Sequence, residues 1–317
     1  MLIVAWRVLR KEEKELLRKM NWSSEMNKFL VVGGAGFIGS QVCKSLLLQR
    51  HFVTVIDNLV SGSREHIAQF LDNDKFTFIK SDITDPGFSD HFNGVECVIM
   101  LAANADIAKA TSDPTIDFYE GTLLIQLTLE AMRKCNVPRI IFSSGSGVYG
   151  ERGYSPAHEN SLMEPISPYG ANKLACEALI RAYVYMFEMQ ATIFRFGNVV
   201  GPMQTHGVCY DFIRKLFADP DTLRIMGDGS QDKPYLHVED VVGAINFVLE
   251  RQRSSLEVFN LAPNDTTTVN EIASIVSKKM GLKPRILRGA EDRGWRGDVP
   301  IVRLDSSKIK EFGLNLR

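Results

Sequence analysis

An α/β fold built on a doubly wound parallel sheet, with a smaller C-terminal lobe, is what this sequence predicts. Seven short apolar runs recur along it: FLVV (29–32), FVTVID (52–57), FTFIK (76–80), CVIML (97–101), RIIFSS (139–144), ATIFRF (191–196) and EVFNLA (257–262). Helical patterns lie between them, with SQVCKSLLLQ after the first run, IQLTLEAMRKC before the fifth and KLACEALIRAYVYMF before the sixth. Continuous apolar strands that alternate with helices are buried on both faces, so the sheet is expected to be parallel and covered on two sides. After about residue 197 the texture changes to Gly- and Pro-punctuated loops, GNVVGPMQTHGVCY and GDGSQDKPYLHVED. That change divides the chain into 28–196 and a smaller lobe over 197–317. The helical DVVGAINFVLE and the last strand, about 236–262, are expected to return to the main sheet.

Composition narrows the function classes. The 317 residues are 45% hydrophobic and 24% charged, which suits one large domain or two unequal lobes. A net charge of −1 gives no general attraction to nucleic acid or an anionic membrane, and no run is long and apolar enough to span one. The five cysteines, at 43, 97, 135, 176 and 209, are scattered without a CxxC or Cys/His cluster. Neither a disulfide frame nor a metal site is expected, and the protein reads as reduced and cytoplasmic. The first 27 residues carry MLIVAW followed by a charge run, too short for a signal sequence. They read either as a short amphipathic helix or as a segment preceding a start at Met26, where MNKFLVVGG opens directly on a strand. No function is assigned to them.

FLVVGGAGFIGS places Gly33, Gly36 and Gly39 between the first strand and a helix. Glycines there allow a tight turn and close backbone approach to a pyrophosphate, and the helix N-terminus supplies N–H groups to the anion. TVIDN ends the second strand with Asp57, whose carboxylate can accept from an adenosine ribose and would repel a 2′-phosphate. With no basic residue immediately beside it, NAD is favoured over NADP. Asp82, in KSDITD after the third strand, could face the adenine; alone it is more often a turn or cap residue.

SPYGANK supplies Tyr169 and Lys173, four apart on one helical face. Hydride transfer at a carbinol carbon needs a base for the hydroxyl proton, and a tyrosine serves only if a cation favours its phenolate. Lys173 can provide that cation and hold the nicotinamide ribose. YxxxK alone is common; downstream of a dinucleotide loop, with the Ser-rich strand end IIFSSGSGVYG between, it becomes specific.

With GGAGFIGS, IDNLVSGSRE, LAANADI, VPRIIFSS, VYGE, SPYGANKLACE, FRFGNVVGP, KPYLHVEDVV and RGWRGDVP, the sequence resembles the extended short-chain dehydrogenase/reductase family over about residues 28–313. Within it the likeness is to nucleotide-sugar epimerases similar to UDP-glucose 4-epimerase. The resemblance implies a Rossmann-like sheet, tightly held NAD, a C-terminal lobe gripping a nucleotide sugar, and commonly a homodimer. It also implies cofactor contacts from Phe37, Ile38, Asn58, Ile83, Leu101, Ala102, Ala103 and Phe196, beside the glycines, Asp57, Asp82, Tyr169 and Lys173.

The family's catalytic Ser or Thr falls here on Gly145, with Ser144 before it and Ser146 after it. Either the loop is shifted by one residue and Ser144 supplies the hydroxyl, or Tyr169 works alone; the reading favours Ser144 as catalytic, with Ser144 and Ser146 near the substrate. Two further departures are Gly121, where the family usually has Asn, and Lys233, often Arg. By the same resemblance Asn198 faces the phosphates, Lys233 and Tyr235 line the nucleotide pocket, and Arg293 or Arg296 supplies a phosphate cation. Val302 falls where a tyrosine in the family excludes an acetamido group, so an N-acetylhexosamine is expected to fit. The reaction implied is C4 epimerisation through a transient 4-keto sugar. A 4,6-dehydratase is less favoured, because its Asp-Glu pair falls on Ser146 and Gly147, and an NAD-binding protein with lost catalysis is the third reading.

Overall fold

The structure is a computed structural model that describes residues 26–104, 106–251 and 254–316. The helix considered for the N-terminal segment lies outside the described residues. The first six strands are β1 (Lys28–Val32), β2 (Phe52–Asp57), β3 (Phe76–Lys80), β4 (Cys97–Met100), β5 (Arg139–Gly145) and β6 (Gln190–Phe196). Short strands follow: β7 (Asn198–Val200), β8 (Thr222–Arg224), β9 (Asp232–Lys233) and β10 (Tyr235–His237), then the longer β11 (Leu256–Leu261), β12 (Thr267–Thr268) and β13 (Arg285–Leu287). The helices are α1 (Phe37–Leu48), α2 (Arg64–Ile67), α3 (Leu124–Lys134), α4 (Pro168–Phe187), α5 (Val208–Ala218), α6 (Val238–Arg251), α7 (Val269–Lys279) and α8 (Ser307–Phe312).

The main sheet runs β3-β2-β1-β4-β5-β6-β11, and its neighbouring strands pair in parallel. The seven predicted runs form these strands, with ends that differ by at most one residue. Alternation along each strand builds the two layers. Phe29, Val31, Val53, Val55, Cys97 and Ile99 face α1 and α6, meeting Val42, Leu46, Val241 and Ile245. Leu30, Val32, Val98 and Met100 face α3 and α4, meeting Leu129, Met132, Ile180 and Val184. Strand order reverses between β1 and β4, and that reversal opens a crevice at the strands' carboxyl ends.

β11 extends the sheet beside β6, and α6 packs back on α1, where Asn246 Nδ2 donates to Ser45 Oγ at 2.7 Å. Beyond β6 the chain also makes three two-stranded pairs, β7–β10, β8–β13 and β9–β12. α5 and α7 enclose a separate small core of Phe212, Leu216, Leu223, Ile225 and Ile272. Neither helix stands out against the loops of the sequence. The capping box of Thr268 and Glu271, which opens α7, was the readable signal for it.

Candidate active site

The crevice is a cavity of about 1170 Å³, and its walls carry both the glycine loop and the Tyr169–Lys173 pair. At the cofactor end Gly33 has φ +82, and a Cβ there would stand 2.7 Å from the Ala102 nitrogen. A Cβ on Gly39 would meet the Gly33 carbonyl oxygen at 2.2 Å, so α1 packs this close to the turn only without a side chain. The α1 N-terminus has no side-chain cap and no acid in its first turn, which leaves its N–H groups to an anion.

Asp57 is 7% exposed; its Oδ2 accepts from Ala35 N (2.9 Å) and its Oδ1 from Leu59 N (2.8 Å). Burial pushes its carboxyl up, opposed by those two amides. Each oxygen retains a lone pair for a ribose hydroxyl. Asn58 Nδ2 donates to Asp82 Oδ2 at 2.8 Å, while Asp82 Oδ1 accepts from Thr84 N and Oγ1 (3.0 and 2.7 Å), which holds its carboxyl down. Gly36, Phe37, Ile38, Asn58, Asp82, Ile83, Leu101, Ala102, Ala103 and Phe196 line the same crevice. A cradle that a Cβ would fill, with a carboxylate at the end of β2, fits a dinucleotide whose adenosine ribose carries free hydroxyls. Denaturing the purified protein should release NAD; recovery of NADP would overturn the role given to Asp57.

Tyr169 and Lys173 ride the first turns of α4. Pro168 starts that helix, and the Ser167 side chain caps it by accepting from Gly170 N at 3.2 Å. Lys173 is 6% exposed; its Nζ donates to the Ser143 carbonyl at 2.7 Å and stands 5.7 Å from the Tyr169 ring centre. Burial lowers the Lys173 ammonium and pushes the Tyr169 phenol up to about 12, Asp117 adding to the latter. Desolvation therefore outweighs the phenolate-favouring effect expected of Lys173 from sequence.

Ser144 lines the crevice, but its hydroxyl is committed to Glu177 rather than to Tyr169. It is 3% exposed, and its hydroxyl donates to Glu177 Oε1 at 2.6 Å, beside the Arg195 guanidinium that binds both oxygens of Glu177. The one-residue shift that would make it catalytic does not occur. Gly145 holds the family position instead: a Cβ there would lie 3.9 Å from the Tyr169 hydroxyl. Ser146 opens a 3₁₀ turn (Ser146–Tyr149) and lines the crevice, its hydroxyl making no hydrogen bond to another described residue. Gly121 lies in a π-helical turn, Phe118–Leu123, that sequence reading missed; its neighbour Thr122 donates from Oγ1 to Asn172 Oδ1 at 2.6 Å.

At the far end Asn198, Lys233, Tyr235 and Val302 share one wall. Lys233 Nζ meets Asp298 Oδ1 at 2.6 Å, and burial pushes the Tyr235 phenol up. Arg293 is not a lining residue: Glu151 (2.7 Å) and Asp292 (3.1 Å) neutralise its guanidinium. Arg296 is exposed and does not line the crevice either, and the indole of Trp295 takes that wall. Val302 is anchored by its amide, which donates to Asp232 O at 3.1 Å; Ile301 bridges to Asp232 and does not line the crevice. Trp295, Asn104 and the buried Asp117 went unread because no local spacing marks them; each reaches the site through tertiary placement.

A parallel sheet of this order, a glycine cradle and an adjacent Tyr–Lys pair define a short-chain dehydrogenase/reductase enzyme that uses NAD. Residues 29–262 match the NAD dependent epimerase/dehydratase family, and the chain belongs to it. It is 33% identical over 291 residues to a putative UDP-glucose 4-epimerase of Methanocaldococcus jannaschii, covering 90% of this chain and 92% of the relative. Among solved structures, a UDP-glucose 4-epimerase from Thermotoga maritima with UDP-glucose superposes with a TM-score of 0.83 at 31% identity, covering 92% and 94% of the two chains. A UDP-N-acetylglucosamine 4-epimerase from Methanobrevibacter ruminantium, in complex with UDP-N-acetylmuramic acid, gives 0.82 at 27% identity over 92% and 94%.

Proposed function

We propose that this chain catalyses epimerisation at C4 of a nucleotide sugar, a UDP-hexose or UDP-N-acetylhexosamine, through a transient 4-keto sugar. The observation that carries the reading is that Tyr169 and Lys173 share one crevice with the glycine cradle and with the wall of Asn198, Lys233, Tyr235 and Val302. NAD, when bound, supplies the hydride acceptor and returns the hydride. Tyr169 takes the C4 hydroxyl proton, and Lys173, fixed by the Ser143 carbonyl, presents its charge to that phenol and to the cofactor ribose. Ser146, which lines the crevice, is the hydroxyl we assign to bridge substrate and phenol in place of the one Gly145 lacks. The segment from 197 onward grips the nucleotide, with Lys233 as the pyrophosphate cation: it lines the crevice, paired with Asp298 of the same wall, whereas Arg293 does not line it.

A dehydratase needs an acid and a base at C5 and C6. Ser146 and Gly147 offer neither carboxylate, so epimerisation is the better reading. A cytoplasmic location accords with five free cysteines and, among the described residues, no helix able to cross a membrane. A homodimer accords with apolar side chains left exposed on the π-turn and on α4, namely Phe118, Tyr185 and Met186.

Val302 sets the sugar range. Assayed side by side, UDP-N-acetylglucosamine and UDP-glucose should both turn over, and Val302→Tyr should selectively lose the acetamido sugar. Roughly tenfold or more is the expected discrimination for bulk added to such a pocket. A wild type inert towards the acetamido sugar, or a Tyr variant that accepts it undiminished, removes Val302 as the gate. A protein that turns over no nucleotide sugar removes the epimerase reading altogether.

A further inference from the structure

One acidic group stands behind Tyr169 and Lys173 without a part in the steps above. Asp117 immediately precedes the π-turn Phe118–Leu123, which the Thr122–Asn172 bond fastens to the catalytic helix. Single π-turns inside helices are frequent at functional sites. Asp117 is 2% exposed; its Oδ1 accepts from Asn104 Nδ2 at 2.9 Å, and its buried Oδ2 has no partner among the described residues. Asn104 itself lines the crevice, and its Oδ1 accepts from Asp106 N at 3.0 Å, so the carboxylate is held by a residue of the crevice wall. A buried carboxylate with a bare oxygen persists where a nearby charge compensates it.

The cation that acts on Asp117 is Lys173, on the helix to which the Thr122–Asn172 bond ties the π-turn; the two are not within ion-pair distance, and burial pushes the Asp117 carboxyl up while Lys173 opposes that rise. The groups that face Asp117 are Asp113 from the preceding loop, Glu120 from its own turn, and Lys173 and Tyr169 from α4. The acidic groups around Lys173 are Asp117, Glu177 and the thiol of Cys176, while β5 contributes the Ser143 carbonyl. Glu177 is already bound at both oxygens by Arg195. The Cys176 thiol is itself pushed up by burial and stays neutral. Asp117 is thus the one carboxylate near Lys173, among those groups, that no arginine neutralises.

We propose that Asp117 is the counter-charge of the catalytic pair: it keeps Lys173 an ammonium and sets the pH at which Tyr169 exchanges its proton, without touching substrate. This rests on the acid–base roles given to Tyr169 and Lys173 above. Removing the negative charge favours phenolate and disfavours ammonium, so both groups should titrate at lower pH.

The test uses the NAD-loaded protein, its Asp117→Asn variant and the charge-keeping Asp117→Glu. Lys173 is followed by ¹³C NMR of labelled lysine, assigned with Lys173→Met, and kcat is followed against pH. In Asp117→Asn the Lys173 midpoint should fall, and both limbs of the kcat profile should move to lower pH by roughly one unit. Asp117→Glu should keep both near wild type. A lower kcat with an unmoved profile and an unmoved Lys173 midpoint would show a purely structural residue and overturn the proposal. Should Asp117→Asn fail to fold, the smaller neutral Asp117→Ser takes its place with the same expected shifts. If no nucleotide sugar turns over yet the Lys173 midpoint falls, the epimerase reading fails and this one stands; turnover with a fixed midpoint fails this one alone.

Discussion

Tyr169→Phe is expected to lower turnover by ~10²–10⁴-fold while NAD stays bound, the range for loss of one general acid–base group. The substitution removes one oxygen and keeps the ring that packs beside Lys173 and Gly147. Cofactor retention follows because the Gly33–Gly39 cradle and Asp57 lie on other elements, β1, α1 and β2. Burial pushes this phenol up to about 12, so at neutral pH the deprotonated fraction is small and the rate should rise with pH until a second group intervenes. The measurements are kcat on the sugar that wild type accepts, and NAD content after denaturation. Wild-type turnover in the Phe variant would remove Tyr169 from the mechanism. Loss of NAD together with activity would show that the ring is a cofactor contact first. Ser144→Ala and Ser146→Ala run beside it: a specific fall in kcat is expected for Ser146, whereas Ser144 should act through stability.

The sheet was legible because its signal is local. Runs such as FVTVID and CVIM are buried on both faces, so their composition marks them without knowledge of neighbours. The glycine loop and Asp57 were legible for a related reason: a turn that tolerates no Cβ writes its requirement directly into the chain. The serine question was not legible. Ser144 and Ser146 are chemically identical in sequence and two apart, so strand alternation would put them on one face; β5 ends at Gly145 and the chain turns, which leaves Ser144 bonded to Glu177 and Ser146 at the crevice with no side-chain partner among the described residues. Arg293 failed for a different reason. A cation in a loop commits to whichever carboxylate the fold brings closest, and Glu151, far away in sequence, is the one that arrives. Asp117 was invisible because its meaning lies in a charge on another helix.

Arg195→Met is expected to cost about 3–5 kcal/mol of stability, the penalty for stranding one member of a buried ion pair. Arg195 is 0% exposed and Glu177 1%. The five N–H bonds of the guanidinium are all accounted for: Nε and Nη2 reach Glu177 at 3.0 and 2.6 Å, Nη1 reaches the Tyr149 hydroxyl and the Glu159 carbonyl at 2.8 Å each, and Nη2 also reaches Met163 Sδ at 3.1 Å. Tyr149 in turn donates to Asn260 Oδ1 at 2.6 Å, and Asn260 Nδ2 donates to the Ala157 and Asp305 carbonyls. One cation therefore ties β6, α4 and β5 to β11 and to the segment that carries Val302. Methionine fills much of the same volume but leaves the Glu177 carboxylate buried with only Ser144 as donor. The double variant Arg195→Met with Glu177→Leu should recover a large part of the loss, since neither charge then needs a partner. Thermal unfolding at one fixed NAD concentration reads the effect, because bound cofactor alone raises the midpoint. If Arg195→Met unfolds with wild type, or the double variant is no better than the single, the pair is not the tie described, and Ser144 is held by packing rather than by Glu177.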